Sequence, residues 1–572
     1  VTERRSHLRA QGAPPARPEG ERPLMPMIDG HRRPRGPYTV GAALLGRLVP
    51  AALERSGNLV AAHDIEIRAV APELRDLVPA RRGTLDADLT DDERILVPAP
   101  RRTLRLANGI AEFVRDAVPP GRTLVVCNGA QADPTDAELL DVLMRRIPPA
   151  VLAITVYLGG PEPPPDFRDA AELWAIVDRG VREGFLHAVA ELGARGLALS
   201  EPGGEAWWRF AQRTATALGG LGRREEARAL WEEVRRTSQD PAVHAASAYG
   251  LAMLDARHPE PARRDLGRAR GWMNEAIAIS TLLPDPVRRA FKLGFDRNGL
   301  ALIELRQGRL RQALALVESA VELARELGDR HPLHRMVLLA NRAQLLAVLG
   351  RAKESLEDWG AAIAIDPLFP DSYVDRGNLL FELGRHREAL ADYESALRAG
   401  PPLPEAHYNR AELRIVQGDV AGALTDLDRV IDLDPDYVDA YVNRAGLLAC
   451  LERDEEARAD TTAGLALSPG NPYLLTVLGQ LETGAGRLPE ARRALDSAIE
   501  LAPGLAAAWG NRGVLRYEAG DPEGAVADLT RAIALAPQPD LYVNRAVALR
   551  ALGRTAEAAA DDARAAPQPE VP

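Results

Sequence analysis

The 572-residue chain is poor in the residues that usually build reactive sites. Its two cysteines, Cys127 and Cys450, exclude a disulfide scaffold and any zinc ribbon or cluster that needs four thiolates. Aromatics make up 5% of the residues, so a core must be built mainly from Ala, Leu and Val. Lys292 and Lys353 are the only lysines. The 71 basic residues, otherwise all arginines, are outweighed by 82 acids, for a formal charge of −11. That balance argues against nucleic acid as a partner. No apolar run approaches the roughly 18 residues that span a bilayer; the longest candidate, Val151 to Leu158, lies between Pro149 and Pro161. Residues 1–35 are rich in Arg, Pro and Gly and lack the apolar core of a secretory leader, so no membrane partner and a cytoplasmic setting are expected. The chain has no Gly-x-x-x-x-Gly-Lys-Ser/Thr loop and no His-Glu-x-x-His pair, and its ten histidines are scattered, so neither cofactor nor metal is expected. Hydrophobic content of 46% and charged content of 27% nevertheless describe a folded protein rather than a disordered one.

What the chain has in quantity is repetition. Small residues recur every 34 positions at Ala343, Gly377, Ala411, Ala445, Gly479 and Gly513. A second small series runs in step at Ser355, Ala389, Ala423, Ala457, Ala491 and Ala525. Between them lies a turn position, held by Gly350, Gly384, Gly418, Glu452, Gly486 and Gly520, and each unit closes on a proline from Pro367 to Pro537. The spacing predicts two amphipathic helices per unit, joined where glycine can take positive φ and separated from the next unit by proline. One such hairpin cannot bury its apolar face alone, so neighbours must stack. Upstream, Ala301, Gly308, Ala313 and Ala320 keep the same relative positions, but 42 residues separate Ala301 from Ala343, which predicts longer helices around 322–334. Gly222 with Ala227, and the stretch 245–280, predict further hairpins, nine to ten in all from about 205 to 565.

The pattern resembles the tetratricopeptide repeat family, mark for mark over about 336–564. The resemblance implies a right-handed α-solenoid superhelix whose first helices line a concave groove. Two residues before the small mark stand Asn341, Asp375, Asn409, Asn443, Asn511 and Asn544, interrupted only by Val477. Family members that grip extended peptides, the protein O-GlcNAc transferases among them, carry an asparagine ladder at this position. A side-chain amide offers both donor and acceptor to a peptide backbone, so the resemblance makes these six the expected partner-contact residues. The alternative is that they satisfy local backbone groups or water. An arginine follows each one: Arg342, Arg376, Arg410, Arg444, Arg512 and Arg545. Such a stripe could read acidic peptides, or it could pair within the repeat with acids such as Asp392, Asp426 and Asp432; the second is preferred because this position faces the neighbouring helix. The lysines of the two-carboxylate clamp variant are absent.

Residues 27–200 lack the period. Thr123 to Tyr157 reads as a buried strand, a loop, a helix from about Thr135 to Arg146 opened by Pro134-Thr135-Asp136, and a second strand, a βαβ unit. This stretch resembles the Walker B region of the large regulatory signal-transduction ATPases of the maltose-activator type. Ala132-Asp133-Pro134-Thr135 match the family's loop and Arg145-Arg146 its helix end, while Cys127 and Asn128 stand where two acids would serve magnesium and water activation. Gly36-Pro37-Tyr38-Thr39-Val40 resembles an eroded phosphate loop with Tyr38 in place of lysine and no strand leading into it. The resemblance implies a degenerate, catalytically silent P-loop-like α/β domain, with Thr39 and Asp133 as vestigial nucleotide contacts. Other candidates read as structural. His63-Asp64-Ile65-Glu66 reads as a solvated helix face, Asp133 and Asp136 as helix caps, and Trp207-Trp208 as packing at the domain junction.

The expected organisation is predominantly α. It comprises a disordered tail at 1–26, the degenerate α/β domain at 27–200, irregular long hairpins at 205–335, regular repeats at 336–565 and a second disordered tail at 566–572. The expected function is non-catalytic binding of a protein or extended peptide in the concave groove. Two alternatives remain open: a nucleotide-responsive regulator of the signal-transduction ATPase type with an atypical site, and an accessory protein that delivers substrates to a partner enzyme. No helix-turn-helix is read after Arg564, so direct DNA binding is not expected.

Overall fold

The structure, a computed structural model, describes residues 7–12, 22–33, 35–83, 99–162 and 169–566. Among these residues four strands form one parallel sheet in the order β1-β4-β3-β2: β1 (Leu8–Ala10), β2 (Ile28–Asp29), β3 (Arg122–Cys127) and β4 (Leu152–Tyr157). Parallel neighbours need a crossover, and between β3 and β4 the helix Pro134–Arg146 supplies it, as the sequence predicts. The helices around the sheet are α1 (Thr39–Arg55), α2 (Gly57–Ala62), α3 (Asp64–Val70), α4 (Ala99–Ala117) and α5, the crossover helix. Their apolar faces meet the strands in one core that includes Leu44, Leu45, Ile110, Phe113, Leu124, Leu139 and Ile154.

Three expectations for this region are corrected. First, Leu8–Ala10 lies inside the expected 1–26 tail yet pairs with Thr155–Tyr157. His7 anchors it with both ring nitrogens, Nδ1 accepting from Ile154 N at 3.2 Å and Nε2 bonding to Ile147 O at 2.8 Å. Residues 1–6 and 13–21 of that tail, and 567–572 of the other, lie outside the described residues. Second, a strand does lead into the loop before α1, because Ile28–Asp29 pairs with Val126–Cys127. Third, Asp64 and Glu66 are not solvated: each is 1% exposed. Asp64 accepts from the backbone N–H groups of Arg81 and Arg82, and the Arg82 guanidinium binds both carboxylates at 2.9 Å.

The chain forms two compact units, residues 1–406 and 407–572. Ten helical hairpins follow the sheet, from Glu205–Gly220 with Arg224–Thr237 to Pro539–Ala551 with Thr555–Ala565. Proline opens many of their helices, at Pro286, Pro332, Pro370, Pro472 and Pro539, where its missing N–H costs nothing. Two upstream helices are longer, 17 residues each for Leu310–Glu326 and Pro332–Val348 against 14 for His386–Ala399 and 13 for Pro370–Glu382, which absorbs most of the extra spacing between Ala301 and Ala343. The small marks are contact points: a Cβ on Gly377 would stand 2.7 Å from the Tyr393 ring of the same hairpin. Within the span expected for the α/β domain, helices Ala170–Glu183 and Leu186–Ala198 place Leu173, Val177 and Val189 in a core with Phe210 and Trp231, so packing does not break at residue 200. Trp207 is buried beside Val234 and Val243, and Trp208 lies against Trp231.

At the turn position Gly384, Gly418 and Gly486 have φ between 71° and 77°, and Glu452 is forced to 57°. Left-handed backbone costs a residue with a Cβ about 1–2 kcal/mol, partly offset by the unfolded-state entropy of glycine. Glu452→Gly is therefore expected to stabilise the chain by about 1 kcal/mol, read as a raised thermal midpoint.

Candidate functional site

The arginine after each ladder residue is committed inward. Arg342, Arg376, Arg410, Arg444, Arg512 and Arg545 each bind, through Nε and Nη2, the two carboxylate oxygens of an aspartate 16 residues later: Asp358, Asp392, Asp426, Asp460, Asp528 and Asp561. All twelve contacts lie between 2.6 and 2.9 Å. The fork joins the first helix of a hairpin to its second. Stacking adds to it where Tyr373, Trp509 and Tyr542 lie under Arg376, Arg512 and Arg545. Of the acids named from the sequence, Asp392 and Asp426 are partners; Asp432 instead binds Arg429.

Where the fork is missing, a different lock replaces it. In the hairpin Pro472–Gly484 with Leu488–Leu501, the two fork positions are Leu478 and Ala494. There Glu482, three residues after the small mark, is buried and bound by Arg458 of the preceding hairpin and by Arg487 at its own turn. Glu304 stands at the same register and is bound by Arg270 and Arg309, and Asp255 by Arg228 and Arg268. Nine consecutive hairpins from Pro241 to Ala565 thus carry one arginine–carboxylate lock or the other. An acid on a helix reads as surface, so nothing in the sequence pattern distinguishes Asp255, Glu304 or Glu482.

With the arginine turned in, the ladder residue one position earlier stands at the half-exposed edge of each first helix. In the first unit Asn341 Nδ2 donates to Asn298 Oδ1 at 2.9 Å. Asp375 lies within 3.5 Å of the Gln344 amide, and burial together with nearby Asp371 pushes its carboxyl up to about 6. In the second unit successive first helices pack side by side. Asn443 Nδ2 donates to the Tyr408 hydroxyl at 3.1 Å, and that hydroxyl donates to Glu412 at 3.0 Å. Asn409 is half-buried on the helix that carries Tyr408. Asn511 and Asn544 make no side-chain hydrogen bond among the described residues. Local pairing thus accounts for Asn341 and Asn443 in part and does not account for Asn511 or Asn544.

The vestigial nucleotide candidates lie near the carboxyl edge of the sheet. Thr39 Oγ1 donates to Gly36 O at 2.9 Å. Asp133 caps α5, accepting from Thr135 N at 3.0 Å and Thr135 Oγ1 at 2.7 Å, and Tyr38 N donates to the same hydroxyl at 3.0 Å. Asp136 does not cap its own helix. Its Oδ1 accepts from Val40 N and Gly41 N, both at 3.0 Å, so this carboxylate sits on the N-terminus of α1, where a bound anion would sit. Asn128 donates to Asp29 Oδ1 at 2.8 Å, and burial pushes the Cys127 thiol up. Asp29, at the end of a two-residue strand, was not singled out by sequence reasoning. Among the described residues no cluster of His, Cys, Asp and Glu could hold a metal, and no helix is long and apolar enough to cross a membrane.

The Arg–Asp fork supports one test. Asp358→Ala, which strands Arg342, is expected to cost about 2 kcal/mol in urea unfolding. Arg342→Leu combined with Asp358→Ala copies the Leu478/Ala494 pair and is expected to recover most of the loss. Asp136 supports a second. Burial raises its carboxyl to about 7, and its Oδ2 has no hydrogen-bond partner, which suits a protonated group. The unfolded carboxyl releases its proton near 3.8. Stability from this group is therefore full below about pH 4 and is lost as pH rises to about 7. Asp136→Asn keeps the acceptor oxygen and is expected to flatten that slope in urea midpoints taken between about pH 4.5 and 7.5.

The tetratricopeptide repeat family matches residues 374–426, 408–472, 476–538 and 511–572, and a second tetratricopeptide profile matches 214–233. No curated protein matches the chain. Among solved structures it is similar to YrrB, a tetratricopeptide protein described as having an unusual peptide-binding site. The identity is 23% over 34% of this chain and 97% of that one, with a TM-score of 0.28. It is also similar to a tetratricopeptide repeat protein from Parabacteroides merdae, at 19% identity over 46% and 99% of the two chains and a TM-score of 0.35. The Cut9–Hcn1 complex of the APC/C matches at 14% over 69% and 86%, with a TM-score of 0.36. Helical hairpins at a 34-residue period, matched by the family over 374–472 and 476–572, show that this part of the chain is built of tetratricopeptide repeats.

Proposed function

We propose that the chain is a non-catalytic scaffold that binds a protein or an extended peptide along the ladder face of its repeats. The observation that carries this is the division of labour between adjacent residues. The arginine is fully engaged inside each hairpin, while the polar residue before it stays half-exposed, at Asn511 and Asn544 without a partner among the described residues. A polar ladder of this kind binds backbone rather than side chains, which suits an extended segment of varied sequence. The sheet domain is proposed as a degenerate P-loop-like domain that no longer turns over nucleotide. Support comes from Asp136, whose carboxyl oxygen fills the anion seat of α1, and from Cys127 and Asn128, which supply no charge for Mg²⁺.

The test uses the full chain and a partner isolated with it from its native host. Asn443→Ala with Asn511→Ala is expected to weaken that partner roughly tenfold or more, about 1.4 kcal/mol, while the chain stays folded. Unchanged affinity would overturn the ladder reading. Calorimetry of the same chains with Mg-ATP is expected to show no binding; sub-millimolar binding abolished by Thr39→Ala would restore a nucleotide role.

A further inference from the structure

The first unit contains a contact between its sheet domain and its repeats that the ladder does not explain. Helix α4 packs Leu106, Ile110 and Phe113 into the sheet-domain core, yet its Arg105 points at the repeats with a side chain only 9% exposed. Its Nη1 and Nη2 donate to Asp371 Oδ2 and Oδ1 at 3.1 and 3.0 Å, and Nη2 also reaches Glu405 Oε2 at 3.5 Å. Arg101 Nε lies 3.4 Å from Glu405 Oε1. Arg82, already held by Asp64 and Glu66, donates to Gly400 O at 3.4 Å.

The place of these acids in the repeat matters. Asp371 lies four residues before the ladder residue Asp375, and Glu405 holds the same register 34 residues later. Residues four apart share one face of a helix, so both carboxylates stand one turn N-terminal of the ladder, on its side. A guanidinium forked onto one carboxylate and touching a second, with little solvent, is a recognition geometry that lysine cannot copy. Both acids also lie in the first turn of their helices, where negative charge is favourable, so they remain satisfied when the arginine leaves.

We propose that Asp371 and Glu405 form an arginine-accepting site on the ladder face, that Arg105 is its resident occupant, and that a partner presenting an arginine displaces α4 from it. The proposal rests on the ladder face being the partner surface and adds the chemistry that the partner must bring to this point of it. Docking of α4 and engagement of the partner here exclude one another.

The test vacates the site in the full chain with Arg105→Ala and offers N-acetylarginine amide as the probe, followed by NMR titration. The variant is expected to bind the probe saturably and the unaltered chain not to; N-acetyllysine amide should bind the variant roughly tenfold more weakly. Adding Asp371→Asn and Glu405→Gln should abolish probe binding. Those two substitutions alone leave the sheet-domain core intact and should raise hydrogen exchange of residues 99–117 severalfold, as Arg105→Ala should. Equal binding of the probe by the unaltered chain, binding that survives loss of both carboxylates, or unchanged exchange of 99–117 would each overturn the proposal. The probe reads Asp371 and Glu405, whereas the ladder test reads Asn443 and Asn511, so failure of one is distinguishable from failure of the other.

Discussion

An arginine held by a buried carboxylate between neighbouring helices is the interaction on which the repeats depend. Helices that meet through alanine and glycine approach closely but bury little apolar area per residue, and 5% aromatics cannot make up the difference. A shallow apolar contact leaves sliding between two helices weakly opposed. The bidentate fork opposes it, because its geometry is satisfied at one register alone. Buried ion pairs add little net stability when desolvation is counted, so their main effect here is to specify how each hairpin closes. The chain meets the same need in two ways. Six hairpins use the 16-residue fork, and three use an acid after the small mark, bound by an arginine of the preceding hairpin. The hairpin with Leu478 and Ala494 lacks both fork partners and has Glu482 bound by two arginines instead. The repeats thus share a lock rather than particular residues.

This constraint separates stability from recognition at single-residue resolution. Along a first helix, the small mark packs, the arginine before it locks, and the residue before that turns toward solvent. Because the lock closes inside the hairpin or onto the preceding one, the ladder residue is not needed to close it and differs between units, as Asp375 and Val477 do. The sheet domain follows a similar economy. Where a nucleotide-binding fold would leave a helix N-terminus open, Asp136 supplies a carboxyl oxygen to α1, and the Tyr38–Thr135–Asp133 hydrogen bonds tie the same loop to α5.

The repeat was legible because its marks are local: small residue, turn and proline recur in one short window. The positive-φ turn was legible even at Glu452, where the residue type is wrong for it. The fork was half legible, since Asp392 and Asp426 were near at hand but nothing in one unit distinguishes them from Asp432. In the sheet domain the βαβ unit from Arg122 to Tyr157 showed through its apolar strands, while Leu8–Ala10 and Ile28–Asp29 are too short to carry any periodicity. Asp136 looked like a cap for the helix it belongs to, yet its partners lie 95 and 96 residues away. Asp64 and Glu66 looked solvated because their arginine, Arg82, comes from beyond the end of their helix.

Residue-resolved hydrogen exchange on the full chain, free and with its partner bound, tests the central claim most directly. Binding along the ladder predicts added protection in the first helices around Asn409, Asn443, Asn511 and Asn544, with the second helices unchanged. Protection gained instead along second helices such as Asp454–Leu467 and Pro522–Leu535 would contradict it.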